Sequence, residues 1–534
     1  MSELTAGNAE EEHYYGMSNQ YQLSFFFSLF LVLLMSSIVV SNFCAHHLHW
    51  HFLPEAGATI LVGVAGGVLC YLYNNTITHS LMIFDPNTFF IALLPPIIFN
   101  SGYTMKRRYF FDNIVPIVTY AIAGTTISSV TVGLIMYAVG QLAFSVKLSL
   151  AEALSFGALI SATDTVSVLA IFQELRVDPT LFYLVFGESS LNDAVAIVLF
   201  GTFSKFIGNV YSSSYLPIAI LDFILIFVGS TLIGILFGVL SALLFKHFDF
   251  KGCLYHEMGI YMMFAYLPFL IAAIFDLSGV VAILFTGITM KHYTANNLSD
   301  DGKEMCGRMF NAISYVSETT IFLNLGLAVF ALPVGYHFKF IAWTLFACLA
   351  GRAAFVFPLS YLINYRRDAE RKVHPNQQVM IWFSGFRGAL CFALALEWPN
   401  DKRSEVIATT MVVVLATLFI GGGLTVPMLN YLKIKQLTPA EEIELDSMVK
   451  PIKRMKILQF DAKYWVPFFT HLHPDTGSFH EEAGSGGGIQ DDMTDTSKEA
   501  LRPEYDDADD GGEFSTINVA SSSPPSSTAA SSPH

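Results

Sequence analysis

The chain has 534 residues, 53% of them hydrophobic and only 14% charged. A soluble protein carries about a quarter charged residues, so this composition excludes an ordinary aqueous domain. The formal net charge of −15 sits at the ends, with −4 in residues 1–22, −9 in residues 433–534 and −2 between; no basic stripe exists to hold phosphates, which excludes nucleic acid as a partner.

Apolar runs long enough for a span of roughly 20 residues recur from residue 23 to 432. Thirteen are read: 23–43, 55–73, 86–103, 113–141, 149–172, 180–206, 216–246, 256–275, 277–291, 309–332, 336–363, 377–397 and 405–432. They are continuous rather than alternating, which predicts helices and not a barrel. The least secure divisions fall at Asp276 and within 216–246. The first run has no basic stretch before it and is long for a cleaved signal, so it is read as a retained helix.

Basic residues set the orientation. Loops after odd-numbered spans hold 13 Lys and Arg, and loops after even-numbered spans hold 5. The positive-inside rule then puts the odd loops and the C-terminal tail in the cytosol and residues 1–22 outside or in a lumen. The sequon at Asn74 falls on the lumenal side and is a candidate glycosylation site. His46, His47, His49 and His51 fall in the first cytosolic loop and are read as interfacial rather than metal-binding.

In span three, Pro95 and Pro96 lie inside the run LLPPIIF and predict a kink, either a vestibule wall or a packing bend. In span five, Ser161-Ala162-Thr163-Asp164 puts small polar residues and a carboxylate at mid-span, where a broken helix would expose ion-ligating backbone. In span six, Glu188-Ser189-Ser190-Leu191-Asn192-Asp193 places two carboxylates and an amide in an apolar helix. Such charges are expensive in a bilayer unless they face a cavity or partner. Ser189 and Asp193 share a helical face, while Glu188 projects about 100° away from Ser189.

Span ten brings Glu318 and span eleven Arg352, supporting charges expected to pair with each other or with Glu188. Span twelve carries Ser384-Gly385-Phe386-Arg387-Gly388, where glycines flanking an arginine predict a second broken helix; Arg387 would neutralise a carboxylate or cap the freed carbonyls. The two breaks are seven spans apart. This offset fits two inverted six-helix repeats joined by span seven, with the substrate site at the midplane. The six cysteines show neither metal-ligand spacing nor a disulfide framework. Residues 433–475 read as a cytosolic amphipathic segment and 476–534 as a disordered acidic, Ser- and Pro-rich tail, a candidate site for regulators.

The ordered set LLPPIIF, SATD, FGESSLNDA, HYTANNLS, SET, GRAA, PLSYLIN and FSGFRGA resembles the eukaryotic sodium/proton exchangers of the monovalent cation:proton antiporter superfamily, in particular their endosomal and Golgi branch. The resemblance implies an all-α, thirteen-helix homodimer in lipid, with a dimerisation domain and a six-helix core that moves as an elevator. It needs no cofactor and exchanges Na+ or K+ for H+. Carried over by motif, Asp193 resembles the ion- and proton-carrying carboxylate, with Asn192 beside it. Asp164, the Thr163 carbonyl and Ser189 complete the cation site. Glu188 and Arg387 resemble the structural ion pair of the core. The chain has Thr165 where many relatives have proline, and Gly-Phe-Arg-Gly where Gly-Leu-Arg-Gly is commoner.

Sodium and potassium use the same oxygen ligands, so the residues leave the choice between them open. Two functions of other classes compete. An intramembrane hydrolase would use Asp164 and Asp193 as an aspartyl pair sharing a proton, but the chain lacks the Gly-x-Gly-Asp motif of such enzymes. A channel or sensor would pass cations without an opposing pH gradient.

Overall fold

The computed structural model describes residues 24–25, 27–44, 54–73, 88–438, 441 and 460–470, apart from 106–108, 111–112, 165, 209–214, 249, 251, 332–334 and 368–371. Asn74, the histidines at 46–51, residues 1–22 and the tail beyond 470 lie outside the described residues.

Each apolar run coincides with a helix or a broken pair of helices. These are α1 (Phe27–Cys44), α2 (Glu55–Tyr73), α3 (Phe89–Thr104), α4 (Ile114–Gln141), α5a (Leu150–Ser161) and α5b (Val166–Glu174), and α6 (Pro179–Ser204). There follow α7 (Tyr215–His247), α8 (Leu254–Ile274), α9 (Gly279–His292), α10 (Asp300–Ala331), α11 (Phe338–Tyr365), α12a (Pro375–Phe383) and α12b (Ala389–Leu396), and α13 (Arg403–Tyr431). Eight of them are long and apolar enough to cross a membrane on length and composition alone. Among the described residues no strand forms, only one antiparallel bridge between Val177 and Gln436.

Both insecure divisions resolve simply. The run 216–246 is one uninterrupted helix. Asp276 adopts φ +53°, a left-handed conformation that Asp tolerates better than most residues. Two residues later, Ser278 caps α9 by accepting the Val281 N–H.

The helices sort into two bodies. α2 packs on α10, α3 on α9 and α10, and α7 and α8 on α9; α1 joins them through Leu34 against Leu323 and Leu327. This body is the scaffold. The second, the core, packs α4 on α5a and α11, α6 on α5a, and α13 on α12b. Lipid tails are as apolar as leucine, so close backbone approach drives much of this association. At the α2–α10 contact a side chain on Gly63 would strike Leu323 and Gly326.

Pro95 and Pro96 begin an α-helical stretch directly after a π-helical turn, Phe89–Leu93, whose wider bore lets the Leu94 N–H reach Phe89 O. Pro95 cannot donate to the carbonyl four residues back, Ile91 O. The Tyr266 hydroxyl of α8 donates to that carbonyl instead.

Candidate ion-binding crossing

Both predicted breaks are present. Residues 162–164 and 385–388 leave the helix, and the two extended stretches cross, with the Asp164 N–H donating to Phe386 O at 2.9 Å. The glycines of the second break permit this contact by lacking a side chain. A methyl on Gly388 would overlap the Cβ of Asp164, and one on Gly385 would overlap the Arg352 side chain. Neither glycine has a positive φ.

A broken helix leaves carbonyls without donors at one cut end and N–H groups at the other, with partial charges to match. Each carbonyl end here meets an arginine. Arg387 Nη1 donates to Ser161 O at the end of α5a (2.9 Å). Arg352 donates to Ile381 O near the end of α12a through Nε (3.1 Å) and Nη2 (2.7 Å). Asp164 precedes the first turn of α5b, where a negative charge is favoured. Cys391 Sγ donates to Ala162 O at 3.2 Å, and Thr417 Oγ1 accepts the Arg387 N–H at 3.0 Å. Neither residue stands out in the sequence, since each is one small polar group in a long apolar run.

The expected Glu188–Arg387 pair does not form. Glu188, buried to 1% exposure, pairs with Arg352 in a two-pronged contact: Nη1 to Oε1 at 3.1 Å and Nη2 to Oε2 at 3.0 Å. The reason is angular, because Glu188 projects off the Ser189 face of α6 toward α11, whereas Arg387 Nη1 is directed to Ser161 O at the α5a terminus. Glu318 does not meet Arg352 either; it accepts from Ser314 Oγ (3.1 Å).

On the Ser189 face, Ser189 Oγ donates to Thr163 O (2.8 Å). Asn192 Nδ2 donates to Thr163 Oγ1 (2.8 Å) and Glu188 Oε1 (3.3 Å). A carboxylate only accepts, so these contacts fix the amide with its nitrogen toward Glu188. Asn192 Oδ1 is then left buried with no hydrogen-bond partner among the described residues. Asp193 interacts electrostatically with Asp164 and Glu188, and among the described residues nothing donates a hydrogen bond to its carboxylate. Asp193 and Asp164 keep partial exposure while Thr163, Glu188 and Asn192 are sealed. Among the described residues no group of three His, Cys, Asp or Glu side chains is arranged to hold a metal.

Broken helices crossing within a two-bodied helical bundle, with carboxylates at the crossing, define a membrane carrier fold. The chain matches the family described as "Sodium/hydrogen exchanger, transmembrane" over residues 30–431. It is 36% identical to sodium/hydrogen exchanger 8 of Mus musculus over 88% of this chain and 90% of that protein, and 38% identical to sodium/hydrogen exchanger 9 of Rattus norvegicus over 78% and 71%. The chain therefore belongs to the sodium/hydrogen exchanger family, whose members are secondary transporters and not enzymes. Among solved structures, the sodium proton antiporter MjNhaP1 of Methanocaldococcus jannaschii shares the fold, with a TM-score of 0.57 and 18% identity over 77% of this chain and 97% of that one.

Proposed function

We propose that the protein exchanges Na+ for H+ across its membrane, one charge for one, with Asp193 binding either a proton or the cation but not both. The observation that carries this is the state of the Asp193 carboxylate, partly exposed and without a hydrogen-bond donor among the described residues, in a crossing where Glu188 has a guanidinium partner. Hard cations take several oxygens (divalent ions are the better-studied case). Asp193, Asp164, Ser189 and the unpartnered Asn192 Oδ1 supply them, with Thr163 fixing the amide.

A bare carboxylate is costly to carry past lipid, so the core moves only when Asp193 is neutralised. That condition couples the two fluxes. The grouping of helices supports a moving six-helix core against a scaffold that dimerises with a second copy. The breaks in α5 and α12 support two inverted repeats within residues 23–432. Similarity to the organellar branch favours an endosomal or Golgi membrane, and the basic loops favour a cytosolic C-terminal tail that regulators would contact.

The experiment is reconstitution into proteoliposomes with an internal pH dye and a voltage probe, challenged with each alkali cation in turn. An outward proton gradient should drive cation uptake without a potential developing. Current that scales with turnover, or cation flux indifferent to pH, would overturn the reading.

A further inference from the structure

Residues 460–470 form a short helix seated at one end of the scaffold. Its Asp461, 7% exposed, accepts from Nε2 of His292, the last residue of α9 (2.7 Å), and from the hydroxyl of the following Tyr293 (2.5 Å). Its other end presents carbonyls, which attract cations. Lys246 Nζ at the end of α7 donates to Pro467 O (2.9 Å) and Phe468 O (2.8 Å). Asn297 Nδ2 bridges Phe469 O and Ala242 O, both at 2.9 Å. Between these polar ends Val466 is buried against Ala242 and Tyr293. All of these partners belong to the scaffold.

The preceding stretch is fastened to the core instead. Asn376 Nδ2 donates to Leu432 O, the Asp178 N–H to Lys435 O, and the Leu437 N–H to Arg176 O. Residues 432–437 are thus held by the core and residues 460–470 by the scaffold.

We infer that the 460–470 segment is a latch fixing the tail to the scaffold, and that the charge on His292 sets how firmly it holds. A carboxylate accepts only, so Nε2 carries the shared hydrogen in either state of the ring. With a second proton the contact becomes an ion pair, and charged hydrogen bonds are roughly twice as strong as neutral ones. A free imidazole changes charge at about pH 6.5. The latch is firm on the acid side and loosens as that face turns alkaline. Other charged groups stand on the elements meeting there. Lys246 holds carbonyls, Lys291 lies over the Tyr103 ring, Lys463 over Tyr464, and His247 Nδ1 contacts Leu243 O; Asp300 and Lys303 open α10. An exchanger that changes the pH of this face would thereby alter the grip on its own tail.

Hydrogen exchange on the full-length protein in nanodiscs, at about pH 6 and about pH 8 and corrected for intrinsic rates, tests this. Protection of 460–470 should fall by about tenfold at the higher pH, the factor that roughly 1.4 kcal/mol gives. In His292→Gln and in Asp461→Asn it should be low and the same at both values. Protection of α4–α6 reports folding of each variant. Wild-type protection that does not change with pH, or a His292→Gln protein that keeps the wild-type change, overturns the proposal. No ion gradient is applied, so the outcome is independent of the exchange reading.

Discussion

Glu188 and Asp193 stand five residues apart on one helix, yet they are treated in opposite ways. Glu188 is sealed, gripped by Arg352 and touched by Asn192. Asp193 keeps partial exposure and receives no hydrogen bond from the described residues. The helix supplies both charges; what differs is whether the neighbouring elements answer them. An answered charge fixes structure, and one left to solvent and to a mobile ion can change its occupant.

Substitution should separate the two roles. The largest loss of stability belongs to Glu188→Gln, which leaves a buried guanidinium unbalanced and should cost about 3–5 kcal/mol. Thermal unfolding in detergent would register it, and adding Arg352→Met should recover a good part. Recovery absent from that double variant would mean the pair matters for more than charge balance. Arg387→Ala should come next, at roughly 1.5–3 kcal/mol for the lost charged hydrogen bond to Ser161 O. Cation preference should be unchanged in whatever protein folds, as flux ratios would report. Gly388→Ala pushes a methyl into Asp164 and should reduce cation affinity through the crossing itself, seen as a raised KM for the cation. The smallest effect is Tyr266→Phe, which orphans Ile91 O far from the crossing and should lower stability by about 1 kcal/mol with exchange intact.

The helices and both breaks were legible in the sequence, because an apolar run and its interruption are local signals. Ser161–Asp164 and Gly385–Gly388 announce themselves by residue type alone. Partner choice was only half legible: Arg352 was read as a partner of Glu318 or of Glu188, and it is Glu188 that it meets. Glu188 and Arg352 are 164 positions apart, and their meeting depends on the rotation of α6 and the place of α11 in the core. The family resemblance pointed to Arg387, whose guanidinium is instead at the carbonyl end of α5a. The orphaned Asn192 Oδ1 likewise emerges only once both donors of that amide have been placed. Helix ends joined to a tail segment some 170 to 220 positions away, as at His292 and Lys246, carry no pattern at all.

The most direct test of the central claim is cation-driven proton movement by purified Asp193→Asn in proteoliposomes, run beside wild type at equal incorporation. An amide keeps the size of the side chain but has no proton or charge to exchange. Exchange should fall at least about 100-fold, the loss that roughly 2.7 kcal/mol in the transition state produces, with thermal stability equal to or above that of wild type. Wild-type exchange from that variant would remove Asp193 from the transport cycle and with it the account given for the crossing.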